Sequence, residues 1–427
     1  MFLNSYLHYK LNYKKMIKKI ALNILFLSFI VTINAQTKGA PVTIGNSYVI
    51  NSKVLNQERE IQVHLPSNYK DSIVKQYPVL YVVDGQDYFS PAVSFQKMIA
   101  KRGIVPQMII VGIKTDIVKR RILFDENKGA TNFINFLENE LIPFVDSNYR
   151  TSKEKERLFF GWEMAGGIGI ETIARKSNLF SGYIIPSATN IRGTRVDSVE
   201  KYLKNLKKEE TPFLLMTAAP DESWLNDNQK LQGFFNKETY HHLNWRFSIL
   251  KREKHHTTPF KTLNEGILDY FYNYTPVTYR TLKEYEDFGG VEGLKSFYKK
   301  RGERFGISKE IDEVSKMFIL YNAVVENNYE RFIYYEKAFE GHIEKSLNPS
   351  WFHRYGGFYL KHNNLKEALY VYNYGLQKLG DSKLLFRGLG DVFAAKGEKR
   401  KAKKAYKKAL KIDPKYKQAL EGLNRLQ

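Results

Sequence analysis

The sequence predicts an α/β layered domain with a mostly parallel sheet, followed by an all-helical segment built from repeats. Three observations carry this: apolar, β-branched runs alternate with helical periodicity from about 40 to 275, strand signals stop after about 280, and a period near 34 residues appears towards the C-terminus. The first strand, Arg59-Glu-Ile-Gln-Val-His-Leu, alternates at period two and ends in the turn-rich Pro66-Ser-Asn-Tyr. Tyr77-Pro-Val-Leu-Tyr-Val-Val and Met108-Ile-Ile-Val-Gly-Ile are continuous apolar runs, as central strands covered on both faces require. Phe133, Phe136, Leu137, Leu141 and Phe144 recur at helical spacing over 133–145. Arg157-Leu-Phe-Phe is a strand running directly into Gly161-Trp-Glu-Met-Ala-Gly-Gly and a helix, and Tyr183-Ile-Ile and Pro212-Phe-Leu-Leu-Met supply two further strands. Right-handed crossovers are expected between the parallel strands.

Composition narrows the class. The 427 residues include no cysteine, which excludes disulfides, thiolate zinc sites and a cysteine nucleophile, and no metal, nucleotide or flavin motif is present, so no cofactor is expected. Residues 1–36 read as a signal peptide: Met16-Ile-Lys-Lys is a short basic region, Ile20 to Ile33 is apolar, and Asn34-Ala35-Gln36 offers a small residue for cleavage. Translation starts at Met1 or at Met16, and the mature chain is expected to be periplasmic or secreted with no membrane span. The domain organisation expected is 1–36 signal, 40–275 α/β domain, 276–310 helical connection and 311–427 repeats. The formal charge of +22 is uneven: residues 1–36 carry five lysines and no acid, residues 383–427 carry a net +10, and the other 346 residues hold only +7. Export and this distribution argue against a nucleic-acid partner and leave a solvated capping helix, an anionic surface or an acidic partner.

The run from Gly129 to Thr151, Arg157, and Gly161-Trp-Glu-Met-Ala-Gly-Gly, flanked by Tyr77-Pro-Val-Leu-Tyr-Val-Val-Asp-Gly and Leu179-Phe-Ser-Gly-Tyr, resembles the putative-esterase family of α/β-hydrolases, which includes enterochelin and esterase-D-like esterases. Glu253-Lys-His-His-Thr-Thr-Pro-Phe is similar to the family's catalytic-histidine loop. The resemblance implies a nucleophile on a sharp strand-to-helix elbow, a histidine base and an acid that orients it, acting on a small ester-type ligand such as a siderophore or acyl ester. By residue matching it implies His255 as the histidine in preference to His256, Asp221 as the acid in preference to Glu222, and the backbone amides of Met164 and Gln86 as the oxyanion hole.

One residue departs from that pattern. Glu163 stands where the family has serine, and a carboxylate cannot form the acyl-enzyme ester a serine forms. Three readings follow: serine-type hydrolysis is lost and the protein is a silent binding relative; Glu163 acts as a carboxylate nucleophile or water activator; or Glu163 is an ion-pair partner of His255. Ser187 is poorly placed to replace it. Two further departures are Lys119-Arg-Arg-Ile-Leu-Phe, where the family carries an acid and a proline, and Trp162, which either packs under the sheet edge or fills the mouth of the site.

Phe386, Leu389, Gly390, Phe393, Gly397, Ala402, Tyr406, Ala409 and Pro414 resemble the tetratricopeptide repeat, and Phe352, Tyr355, Gly356, Tyr359, Ala368, Tyr372 and Gly375 occupy the same places 34 residues earlier. Asn327-Asn-Tyr-Glu-Arg-Phe parallels Asn363-Asn-Leu-Lys-Glu-Ala, so a degenerate third hairpin is expected from about 311. The resemblance implies either a protein or peptide partner, with Tyr370 and Tyr374 lining a groove, or an internal cap on the first domain. The functions left open are thus an altered ester hydrolase, a silent ligand-binding relative, and an adaptor acting through its repeats.

Overall fold

The computed structural model describes residues 15, 16, 18, 40–116, 120–125, 128–176, 178–191, 193–205, 211–237 and 244–426. The segment read as a signal, 1–36, lies outside the described residues apart from those three. From Ser47 to Gln427 the chain is one compact unit.

Among the described residues, eight strands form one sheet in the order β1-β2-β4-β3-β5-β6-β7-β8. They are β1 (Asn46–Ser52), β2 (Gln57–His64), β3 (Val79–Val83), β4 (Ile109–Ile113), β5 (Arg157–Phe160), β6 (Gly182–Pro186), β7 (Phe213–Ala218) and β8 (Trp245–Ile249). β2 pairs antiparallel with β4, and every pairing from β4 through β3, β5, β6 and β7 to β8 is parallel. The central strands β3, β4, β5, β6 and β7 are buried along their whole length, which is why they read as unbroken apolar runs. The edge strands β1 and β8 are not; Trp245–Ile249 is only partly covered, and its mixed composition carries no strand signal.

Helices α1 (Gly85–Lys101), α2 (Arg120–Leu123), α3 (Lys128–Phe136), α4 (Ile142–Asn148), α5 (Met164–Arg175), α6 (Thr194–Asn205), α7 (Leu225–Phe235) and α8 (Thr258–Tyr270) cover the two faces of the sheet. The helix expected over 133–145 is split: α3 passes into a π-helical turn at Leu137–Leu141 before α4. Beyond the sheet the described elements are all helices: α9 (Leu282–Asp287), α10 (Gly290–Phe305), α11 (Glu313–Val325), α12 (Tyr329–Ala338), α13 (His342–Lys345), α14 (Pro349–Lys361), α15 (Leu365–Leu379), α16 (Lys383–Ala395), α17 (Lys399–Ile412) and α18 (Lys417–Asn424).

The repeat pattern has a direct physical reading. Asn327 and Asn363 end α11 and α14 at φ 53° and 58°, in the left-handed region asparagine tolerates, and the side chains of Asn328 and Asn364 then cap α12 and α15. Tyr372 and Tyr406 fill the gaps between helices; a Cβ on Gly390 would lie 2.4 Å from the Tyr406 ring, so only glycine lets α16 approach α17 there. Tyr370 is exposed, with its hydroxyl donating to Glu344 at 3.0 Å, whereas Tyr374 packs towards Phe352.

The helical segment is anchored at a defined end of the sheet. Arg304, near the end of α10, donates to both carboxylate oxygens of Glu156, at 2.6 and 3.2 Å, and its guanidinium lies 4.8 Å from the Tyr270 ring. Glu156 immediately precedes β5, so this contact lies at the N-terminal end of the strand whose C-terminal end leads to the elbow. The contact at Glu156 and the elbow are therefore at opposite ends of β5.

Candidate functional site

The strand-to-helix turn between β5 and α5 is the sharpest feature of the α/β region. Glu163 occupies it at φ 56° and ψ −118°, a conformation that side chains rarely adopt and that costs on the order of 1–3 kcal/mol unless its surroundings hold it. They do: Glu163 N–H donates to Pro186 O at 3.3 Å, and its carbonyl accepts from Thr189 and Gly167 at 3.0 and 3.2 Å. Gly161 makes the turn possible, since a Cβ there would meet Ala165 O at 2.7 Å.

The Glu163 carboxylate is committed to Arg120, whose Nη1 donates to its Oε2. Arg120 in turn is gripped by Asp84, with Nη2 to Oδ2 at 2.7 Å and Nε to Oδ1 at 3.1 Å, and it donates to Trp162 O at 3.0 Å. Thr115 Oγ1 adds a hydrogen bond to Asp84 Oδ1. These side chains are largely withdrawn from water, with relative exposures of 12% for Arg120, 4% for Asp84 and 27% for Glu163. Burial opposes charge on both inner partners. At Arg120 the two carboxylates outweigh it and hold the guanidinium above its ordinary pKa; at Asp84 burial prevails over Arg120 and Thr115 and pushes the carboxyl up.

The residues predicted for the site fall into two groups. Glu163, Met164 and Gln86 line one cavity of about 470 Å³, together with Asp84, Arg120, Trp162 and His256. Met164 and Gln86 both lie in the first turn of their helices, where backbone N–H groups have no intrahelical acceptor. His255 lies beside this cavity, its ring 4.7 Å from Trp162 and 4.8 Å from Trp224. Its backbone carbonyl is pinned by Trp162 Nε1 at 3.2 Å and Thr258 Oγ1 at 3.0 Å. Trp162 thus stands at the mouth of the site, against both His255 and the Arg120 guanidinium, 5.5 Å from its ring.

Two expectations change here. The acid against His255 is Glu222, not Asp221: Nδ1 lies 3.2 Å from Glu222 Oε1, and the Glu222 side chain is 1% exposed. Asp221, one residue earlier on the turn after β7, points to solvent and pairs with Lys254 at 2.7 Å, whose hydrogen bond holds its carboxyl below the usual range. Glu163 does not pair with His255 among the described residues; each has another partner. The His256 ring contributes to the cavity lining, although His255 carries the acid contact. Arg120 and Asp84 are not marked as site residues by the sequence pattern; the missing acid and proline around Lys119 is the one visible sign. Ser187 is fully buried, with its hydroxyl 2.6 Å from Thr258 Oγ1. No cluster of three or more metal-ligating side chains occurs, and no helix is long and apolar enough to cross a membrane, among the described residues.

Comparison with known proteins supports this architecture. Residues 52–251 match the family described as Putative esterase, and residues 384–416 match the tetratricopeptide repeat. The chain is 31% identical over 142 residues to the Bacillus subtilis protein YjcH, covering 32% of this chain and 58% of that one. It is 24% identical over 187 residues to the ferri-bacillibactin esterase BesA of the same organism, covering 36% and 64%. The chain therefore spans less than two thirds of either curated relative. An IroE-like serine hydrolase from Shewanella oneidensis has the same fold, with 21% identity, a TM-score of 0.51, and coverage of 69% of this chain and 98% of that one. Residues 52–251 are an esterase-family domain of α/β-hydrolase fold, and the chain joins it to a C-terminal tetratricopeptide repeat.

Proposed function

We propose that the esterase domain of this protein does not carry out serine-type ester hydrolysis and instead serves as a ligand-binding fold, with a ligand drawn from the siderophore or acyl ester chemistry of its relatives. One observation carries the reading: the elbow position that must present a free nucleophile holds Glu163, whose carboxylate is tied to Arg120. A carboxylate in an ion pair is a poorer nucleophile and a weaker base than a free one, which disfavours attack on a substrate carbon and activation of water alike. Similarity to a ferri-bacillibactin esterase supports the ligand class. Export belongs to the same reading, on the strength of the basic and apolar segment before residue 37; cell fractionation tests it, and retention in the cytoplasm counts against it.

The His255–Glu222 pair and the first-turn amides of Met164 and Gln86, which have no acceptor among the described residues, support a local loss. The test is hydrolysis of a short p-nitrophenyl ester by wild type, Glu163→Ala and Glu163→Ser. Wild type and Glu163→Ala are expected at the background rate, with Glu163→Ser above both. Turnover by wild type that Glu163→Ala abolishes would sink the proposal in favour of carboxylate-based catalysis. Protein contact through the repeats is compatible with this function, because the helical segment is anchored through Arg304 and Glu156 at the end of β5 remote from the elbow.

A further inference from the structure

The most concentrated charge in the molecule lies on α17, Lys399-Arg-Lys-Ala-Lys-Lys-Ala-Tyr-Lys-Lys-Ala-Leu-Lys-Ile, which holds eight Lys and Arg and no acid. Its buried residues, Ala402, Ala405, Tyr406 and Ala409, form one stripe against the preceding helix and α18. At 100° per residue, Arg400, Lys404, Lys407 and Lys411 form the opposite stripe, about 16 Å long at 1.5 Å per residue. All four are exposed, as are Lys399, Lys401, Lys403 and Lys408 beside them. Nearby acids do not neutralise the stripe. Glu398 is taken by Lys396 and Lys401, and Asp413 by Lys383, while Arg400, Lys404, Lys407 and Lys411 make no ion pair among the described residues.

We propose that this face of α17 docks on an anionic phospholipid bilayer. A stripe of like charges held this close repels itself, so a solvated helix gains nothing from it, whereas a surface of negative headgroups satisfies all four cations at once. The stripe is straight and borne on a helix whose register is locked by Tyr406 packed against Gly390 and Gly422, so the charges are presented as a set. The only exposed residue of α17 that is not a cation is Ile412, at 46%, and Leu420 on α18 is exposed to 42%; both are apolar groups suited to the headgroup region. The exposed face has no aromatic residue to stack on bases and no Asn or Gln to pair with adenine, while Ile412 beside it suits a headgroup region, and together these favour lipid over nucleic acid.

The test is co-sedimentation of the full chain with vesicles of phosphatidylcholine alone and of phosphatidylcholine mixed with phosphatidylglycerol, at low and high salt. It compares wild type with a variant carrying Arg400→Gln, Lys404→Gln, Lys407→Gln and Lys411→Gln. Glutamine keeps helix propensity at exposed positions, and unchanged far-ultraviolet circular dichroism confirms the fold. Wild type is expected to bind the mixed vesicles at low salt and to leave them at high salt. At roughly fivefold per cation, the variant should bind at least about a hundredfold more weakly. The N-terminal segment, with its five lysines, is identical in both chains, so its contribution cancels in the comparison of variant with wild type. Binding without preference for phosphatidylglycerol overturns the proposal, as does a variant that binds like wild type. Salt-sensitive capture on duplex DNA without capture on the mixed vesicles would assign the stripe to nucleic acid instead.

Discussion

Arg120→Met is the most informative perturbation of the elbow. It removes both hydrogen bonds to Asp84, the contact with Glu163 and the bond to Trp162 O while keeping an apolar stem against Trp162. Asp84, 4% exposed, is left with Thr115 as its side-chain hydrogen-bond partner. Breaking a buried pair by removing one member costs about 3–5 kcal/mol, and the 12% exposure of Arg120 places the expected loss at the lower end. Asp84→Asn in the same chain removes the stranded charge, and asparagine tolerates the left-handed φ of 57° at that position. The double variant should therefore lie within about 1–2 kcal/mol of wild type. Linkage supplies a second signature. The folded pKa of Asp84 is already above its unfolded value, and losing Arg120 raises it further. The stability that comes from protonating it is present in full below about pH 4 and is lost as pH rises through the folded value. Urea unfolding followed by tryptophan fluorescence, with Trp162 against Arg120, should show the single variant far closer to wild type at pH 4 than at pH 7. A single variant equally destabilised at both pH values, or a double variant no better than the single, would refute the argument.

Two other outcomes follow from the geometry. Glu156→Gln weakens the bidentate contact of Arg304 and should lower stability by about 1–3 kcal/mol, an effect absent when Arg304→Met is already present; thermal unfolding of the two single variants and the double checks it. His353, between Tyr372 and Arg387, has its pKa depressed to about 4 by burial and by Arg387 and Arg354, so its contribution is present above about pH 6.5 and is lost as pH falls towards 4, on the order of 2–3 kcal/mol. His353→Gln should flatten that part of the stability profile, and an unchanged acid limb contradicts the assignment.

Much of the architecture is legible in the order of residues. The unbroken apolar runs of β3, β4 and β6 announce strands covered on both faces, and the small residues from Gly161 to Gly167 announce a tight turn into a helix. The 34-residue spacing of Tyr372 and Tyr406 announces stacked helix pairs. The edge strand β8 escapes because its register follows from pairing with β7 and not from its own pattern. Within the site, the motif locates position 163 on the elbow but misplaces the acid by one residue. Asp221 and Glu222 are equally good carboxylates in sequence, and only the path of the turn after β7 decides which faces His255 and which faces water.

Periodicity, turn chemistry and composition are local properties of a chain. They suffice to specify the layered α/β domain, the repeat segment and the concentration of positive charge in α17, while the resemblance to the esterase family marks Glu163 as standing where a serine is expected. It takes the folded molecule to establish that Glu163 is held by Arg120, itself gripped by Asp84, and that Glu222 meets His255. Those contacts join residues 33 to 43 positions apart, brought together beyond the ends of five different strands. Electrostatic partnership depends on distance and burial, and neither is written in the order of residues along the chain.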